Sequence, residues 1–103
     1  MAINSETLEE TLTLGSVKGY VVTLDIQSFT NPEGFDPTQT SGGGDKYVNT
    51  LLGVSVLALE KGDALQAEYD HLGTEFNITS NDGTAAQSDV GEVRVLILGD
   101  ASA

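Results

Sequence analysis

Lys18-Gly19-Tyr20-Val21-Val22-Thr23-Leu24-Asp25-Ile26-Gln27 is the stretch whose reading decides the fold. Successive side chains of an extended chain point to opposite faces, so Tyr20, Val22, Leu24 and Ile26 share one face while Val21, Thr23, Asp25 and Gln27 share the other. That alternation predicts a half-buried β-strand. The same period recurs downstream, where Leu65, Ala67 and Tyr69 alternate with Gln66, Glu68 and Asp70, and where Phe76 and Ile78 point inward within residues 75–79. Near the C-terminal end, residues 91–99 set Val93, Val95 and Ile97 against Glu92, Arg94, Leu96 and Leu98, which predicts a strand buried on both faces toward its end. Residues 54–59, Val-Ser-Val-Leu-Ala-Leu, are expected to form a central strand with much of both faces covered. Turn signals at Lys61-Gly62-Asp63, His71-Leu72-Gly73 and Asn81-Asp82-Gly83 separate these runs. Short strands at this spacing predict an all-β chain, a small antiparallel β-sandwich or barrel.

Between the first two strands, residues 28–45 collect Asn31-Pro32-Glu33-Gly34, Asp36-Pro37 and Gly42-Gly43-Gly44, a density of turn formers that predicts a long Gly/Pro-rich loop. Loops of this length in a compact domain are usually functional or held by a partner. Phe29 and Phe35 are its anchors, packing either onto the chain's own core or into a neighbouring subunit. At the N-terminus, Ser5-Glu6-Thr7-Leu8-Glu9-Glu10 could start a short helix, whereas Thr11-Leu12-Thr13-Leu14 prefers a strand. The expectation is an N-terminal arm or edge strand over residues 1–14, a β domain over 15–99 and a tail over 100–103. An arm bearing Leu8, Leu12 and Leu14 would pair with its own sheet or a neighbour's, and its removal is expected to leave the domain folded. Leu8, Leu12, Leu14, Phe29, Phe35 and Tyr47 are therefore the candidate docking residues.

At 103 residues the chain has the size of one domain. Its 4 Lys+Arg face 16 Asp+Glu, for a formal net charge of −12. Direct nucleic-acid binding is excluded on that balance, because it needs cationic side chains to displace phosphate counterions. Self-repulsion of this size fades at about 1 M salt, where the screening length is roughly 3 Å, so the composition suits a halophile; ordinary solubility is the alternative explanation. With no cysteine, neither a disulfide framework nor a thiolate metal site can form. No apolar run approaches the about 20 residues of a membrane-spanning helix, so no membrane association is expected. The opening residues show no signal-peptide pattern, and synthesis in a host cytoplasm is expected.

Chemistry is sparse. No phosphate-binding loop motif is present, and Gly42-Gly43-Gly44 precedes a strand instead of a helix. Ser55 lies in Gly53-Val54-Ser55-Val56-Leu57, which lacks the second glycine of a nucleophile elbow. His71 is the sole histidine, so a multi-histidine metal site cannot form within one chain. Glu68 and Asp70 share a strand face, but the inward alternation of their neighbours turns both toward solvent. Oxygen ligands for a hard cation are plentiful around residues 36–45 and 81–89, without the spacing of an EF-hand. Asn77-Ile78-Thr79 matches a glycosylation sequon. The chain is thus expected not to be an enzyme and to hold no cofactor or metal.

From Leu14 to Gly99 the layout resembles that of small tailed-virus virion proteins. Leu14-Gly15-Ser16 leads into Tyr20-Val21-Val22-Thr23, a polar Gly/Thr/Pro-rich loop precedes a second apolar strand, and the chain closes on Val93-Arg94-Val95-Leu96-Ile97-Leu98-Gly99. The resemblance implies a β-sandwich capsid-decoration, turret or head-stabilising subunit located in the virion. It also implies homo-oligomerisation, as a trimer or pentamer, and docking on a major capsid or other virion protein, with the acidity pointing to a virus of haloarchaea. The reading from another class is a ligand- or carbohydrate-binding β module at a cell or virion surface.

Overall fold

The computed structural model describes residues 3–27, 33–38, 47–80 and 90–100. Among them the chain is all-β: β1 (Ile3–Leu14), β2 (Val17–Ile26), β3 (Glu33–Gly34), β4 (Thr50–Leu59), β5 (Leu65–Asp70), β6 (Glu75–Ser80) and β7 (Gly91–Asp100). They form a four-stranded sheet in the order β1-β2-β7-β4 and a three-stranded sheet in the order β3-β6-β5, and every pairing is antiparallel. The sheets are separate ladders lining one core, so of the two expected architectures the chain adopts the sandwich.

The core follows from the alternation of β2 and β7. These strands pair without interruption from Val17↔Asp100 to Ile26↔Gly91, which sets Leu24 opposite Val93, Val22 opposite Val95 and Tyr20 opposite Ile97 on one face. Val22, Leu24, Ile26, Val93, Val95 and Ile97 are fully buried. The second sheet covers them with Phe76 and Ile78, also fully buried, flanked by half-buried Leu65, Ala67 and Tyr69. Dihedral preferences set the reversals. Gly15, with φ of 67°, is followed by Ser16 on the ordinary side, the pattern of a two-residue type II′ hairpin joining β1 to β2. At the β5–β6 turn, Asp70 Oδ1 accepts from the N–H groups of Leu72 and Gly73, at 3.0 and 3.1 Å.

Residues 54–59 do not form the expected central strand. β7, the last strand in sequence, inserts between β2 and β4, so β4 lies at the edge. An edge position leaves Leu52 and Leu57 half or more exposed, at 57% and 50%. The N-terminal segment resolves to an edge strand paired with β2 from Ile3 to Leu14, not a short helix. Ile3 enters the core, and the Tyr47 hydroxyl donates to Glu6 Oε1 at 2.9 Å, so the segment is built into the domain. Asp100, assigned above to the tail, is the last residue of β7, opposite both Val17 and Thr50.

The long loop is pinned by Phe35, which is a core residue and not a docking residue. Its ring stacks on Phe76 at 5.4 Å and meets Tyr69 edge-on at 6.4 Å. Its backbone is held from both sides: the N–H donates to the Thr74 carbonyl at 2.8 Å, and the carbonyl accepts from the Tyr69 hydroxyl at 2.6 Å. Burial of one large aromatic thereby fixes the chain path between the sheets. Just before it, Glu33 and Gly34 add the short strand β3 to β6, regular structure that the turn-former density did not foretell.

Two outcomes test this packing. Deleting residues 1–14 uncovers β2 and removes Ile3 from the core; it should cost at least about 2 kcal/mol for that side chain alone, or roughly 8–16 °C in Tm by calorimetry. Gly99 leaves no room for a side chain, since a Cβ there would lie 2.5 Å from the Thr50 carbonyl oxygen and 2.6 Å from Val48 Cβ. Gly99→Ala should therefore destabilise by about 1–3 kcal/mol in denaturant titration.

Candidate interaction surface

The face of the four-stranded sheet turned away from the core is ordered in rows, because residues opposite one another in a ladder share a face. One row runs Leu12, Gly19, Leu98, Gly53 across β1, β2, β7 and β4; beside it run Leu14, Val17, Asp100, Thr50 on one side and Glu10, Val21, Leu96, Ser55 on the other. A bulge between Leu8 and Glu10 puts Leu12 and Leu14 on this face, whereas Leu8 lies opposite Val22 at the margin of the core face. Leu12 and Leu14 are 40% and 63% exposed. Leu12, Leu96 and Leu98 close over Gly19, where a Cβ would stand 3.2–3.4 Å from their side chains, while over Gly53 the space is open. The result is an apolar patch with a notch at Gly53.

The other half of the same face is polar. Thr23, opposite Arg94, is buried; its hydroxyl donates to Glu9 Oε2 at 2.7 Å and accepts from Arg94 Nε at 3.2 Å. A hollow of about 180 Å³ lies here between Thr23, Ala58, Glu60, Glu92 and Arg94. The Glu92 backbone N–H donates to Glu60 Oε1 at 3.1 Å, so Glu60 is engaged in holding β4 to β7. A second groove, about 300 Å³ and mostly apolar, runs along β4 toward β5 and is lined by Val56, Leu57, Leu59, Leu65 and Ala67.

Of the candidate docking residues, the structure therefore places Leu12 and Leu14 together on one surface, and Leu8, 50% exposed, on the edge of the opposite one. Tyr47 is half-buried, packs on the core and tilts against Tyr20 at 5.6 Å, which makes it a fastener and not a docking group. Phe29 lies outside the described residues. Leu96, Leu98 and Gly19 complete the patch and were missed. Their signal was present in the sequence as apolar residues at the outward positions of β7, but it was read as burial inside the domain.

Among the described residues no group of three or more His, Cys, Asp or Glu side chains is placed to hold a metal ion. Asp36 Oδ1 accepts from the Thr38 N–H and hydroxyl, at 3.0 and 2.6 Å, so that carboxylate caps its own turn. Glu68 is exposed, Asp70 serves the β5–β6 turn, and His71 is exposed within it. No helix among the described residues is long and apolar enough to cross a membrane. Compared with known proteins, no family model, curated protein or solved structure matches the chain.

The Tyr69 titration is displaced. Burial pushes the Tyr69 phenol well above the usual tyrosine range, reinforced by the negative charges of Asp36 and Asp70. The folded state keeps a proton that the unfolded chain releases near pH 10, so stability is intact below about pH 10 and falls as pH rises above it. In alkaline denaturation, Tyr69→Phe should flatten this fall while losing about 1 kcal/mol at neutral pH from the missing bond to the Phe35 carbonyl.

Proposed function

We propose that the chain is a structural subunit of a virion shell, a capsid-decoration or head-stabilising protein that forms homo-oligomers and docks on a protein lattice. The observation that carries this reading is the leucine half of the outer sheet face. Leu12 and Leu14, with half-buried Val21, Leu96 and Leu98, form a contiguous apolar surface on a chain of net charge −12. Surfaces of this kind mark protein contacts, since isolated domains seldom leave them open to water.

The acidic composition supports assembly in concentrated salt, where charge repulsion between subunits is screened within roughly 3 Å at about 1 M. A haloarchaeal virus fits that setting. The role is non-enzymatic, and the partners are the chain itself and a major capsid or other virion protein. A carbohydrate-binding module would need exposed aromatic rings for stacking. Tyr20, Tyr47, Tyr69, Phe35 and Phe76 are all buried or half-buried, so nothing among the described residues favours that reading.

Light scattering in low salt and again in multimolar KCl tests the proposal. A discrete trimer or pentamer should appear at high salt, and the double substitution Leu12→Glu with Leu14→Glu should lower its mass while leaving the circular dichroism unchanged. Should the wild-type chain stay a folded monomer under both conditions, the shell reading loses its basis.

A further inference from the structure

Asp36 and Pro37 stand next to one another in the connection between β3 and β4. An Asp–Pro bond is the peptide link most easily broken by acid. The carboxylate can close a five-membered ring on its own main-chain carbonyl carbon, and the proline nitrogen, a tertiary amide without an N–H, takes up a proton more readily than other amides. In a free chain the carboxylate spends most of its time swung away from that carbon. Thr38 prevents this in the folded domain. Asp36 Oδ1 accepts from the Thr38 N–H at 3.0 Å and from the Thr38 hydroxyl at 2.6 Å. The ring closed by the first of these bonds contains the Asp36 carbonyl carbon and the Pro37 nitrogen, so the carboxylate is held alongside the link between them.

We propose that the Asp36–Pro37 bond is a self-cleavage site, at which the chain cuts itself in mild acid in a single-turnover reaction. With Oδ1 held by Thr38, Oδ2 attacks the Asp36 carbonyl carbon. The new C–O bond forms, the C–N bond breaks, and the Pro37 nitrogen leaves as a secondary amine with a proton taken from the solvent. Water then opens the cyclic anhydride, which restores the Asp36 side-chain carboxyl and leaves a free α-carboxyl beside it. Asp36 and Thr38 are half-buried, so water and acid reach the bond from their side, while Pro37 is fully buried.

Both sides of the cut are anchored separately. Before it, the Phe35 N–H donates to the Thr74 carbonyl at 2.8 Å and the Phe35 carbonyl accepts from the Tyr69 hydroxyl at 2.6 Å. After it, the Pro37 carbonyl accepts from the Tyr47 and Val48 N–H groups at 2.8 and 3.3 Å. The β2–β7 ladder joins the two pieces, residues 1–36 and 37–103, along its whole length. Cleavage therefore severs the covalent tie between β3 and β4, which belong to different sheets, and leaves a two-chain domain of the same fold.

The test is the intact mass of the full chain over time, with and without urea, at the lowest pH where the circular dichroism is still that of the folded domain. The folded chain should yield the two fragments about tenfold faster than the urea-unfolded chain, because its nucleophile is held in place. The fragments should elute together at the volume of the uncut chain and separate only in urea. Thr38→Val removes the hydroxyl but keeps the N–H, and it should slow cleavage severalfold. Asp36→Glu would need a larger ring and should stop the reaction with the dichroism unchanged. A folded chain that stays intact, or is cut no faster than the unfolded one, overturns the proposal and leaves only the ordinary acid lability of the dipeptide. Cleavage of Asp36→Glu at the wild-type rate overturns it as well.

Discussion

The uninterrupted register between β2 and β7 is the constraint from which the rest follows. Ten consecutive residues of each strand face one another without a bulge, and the inward set is entirely apolar from Tyr20 to Ile26 and from Val93 to Ile97. A slip by one residue would expose that whole set and drive Thr23, Asp25, Glu92 and Arg94 into the core. The penalty for burying unpaired charge forbids it. Both outer strands of the sheet are hung on this pair, β1 on β2 and β4 on β7, each with bulges that the central pair lacks.

The second sheet is held by a different device. β5 and β6 form a short hairpin whose inward side chains, Tyr69, Phe76 and Ile78, would be half-solvated on their own. Phe35 arrives from the long connection and closes the ring cluster, with Tyr69 and Phe76 at 5.3 Å. Its main-chain N–H and carbonyl are both bonded into the hairpin. Aromatic burial and backbone satisfaction act at the same residue, so the loop is part of the core at that point.

The outer face divides along the strand axis. Toward the β1–β2 turn it is apolar apart from Thr50 and Asp100, with leucines over Gly19; toward the other end it carries the Glu9–Thr23–Arg94 chain of hydrogen bonds and the Glu60 and Glu92 carboxylates. Glycine has a packing role at Gly19, because its missing side chain is what lets Leu12, Leu96 and Leu98 approach one another. The four-stranded sheet thus turns one face to the core and divides the other between a polar half and a smaller apolar one.

Alternation by itself determined which residues of β2, β5, β6 and β7 face inward, because the two-residue period of a strand is a local property of the backbone. Reversals at Lys61-Gly62-Asp63 and His71-Leu72-Gly73 were equally local, set by glycine and by short polar side chains. Strand order was not. An apolar run such as residues 54–59 reads the same whether both its faces are covered or it lies at an edge, and only the insertion of β7 beside β2 put β4 outside. The same blindness hid the leucine patch, since Leu96 and Leu98 look like core until the second sheet is seen to cover the opposite face. Which of the loop's phenylalanines enters the core was also undecided by spacing; Phe35 does so because β6 and Thr74 lie within reach in the folded chain. Faces belong to the strand, but coverage belongs to the neighbours that long-range packing supplies.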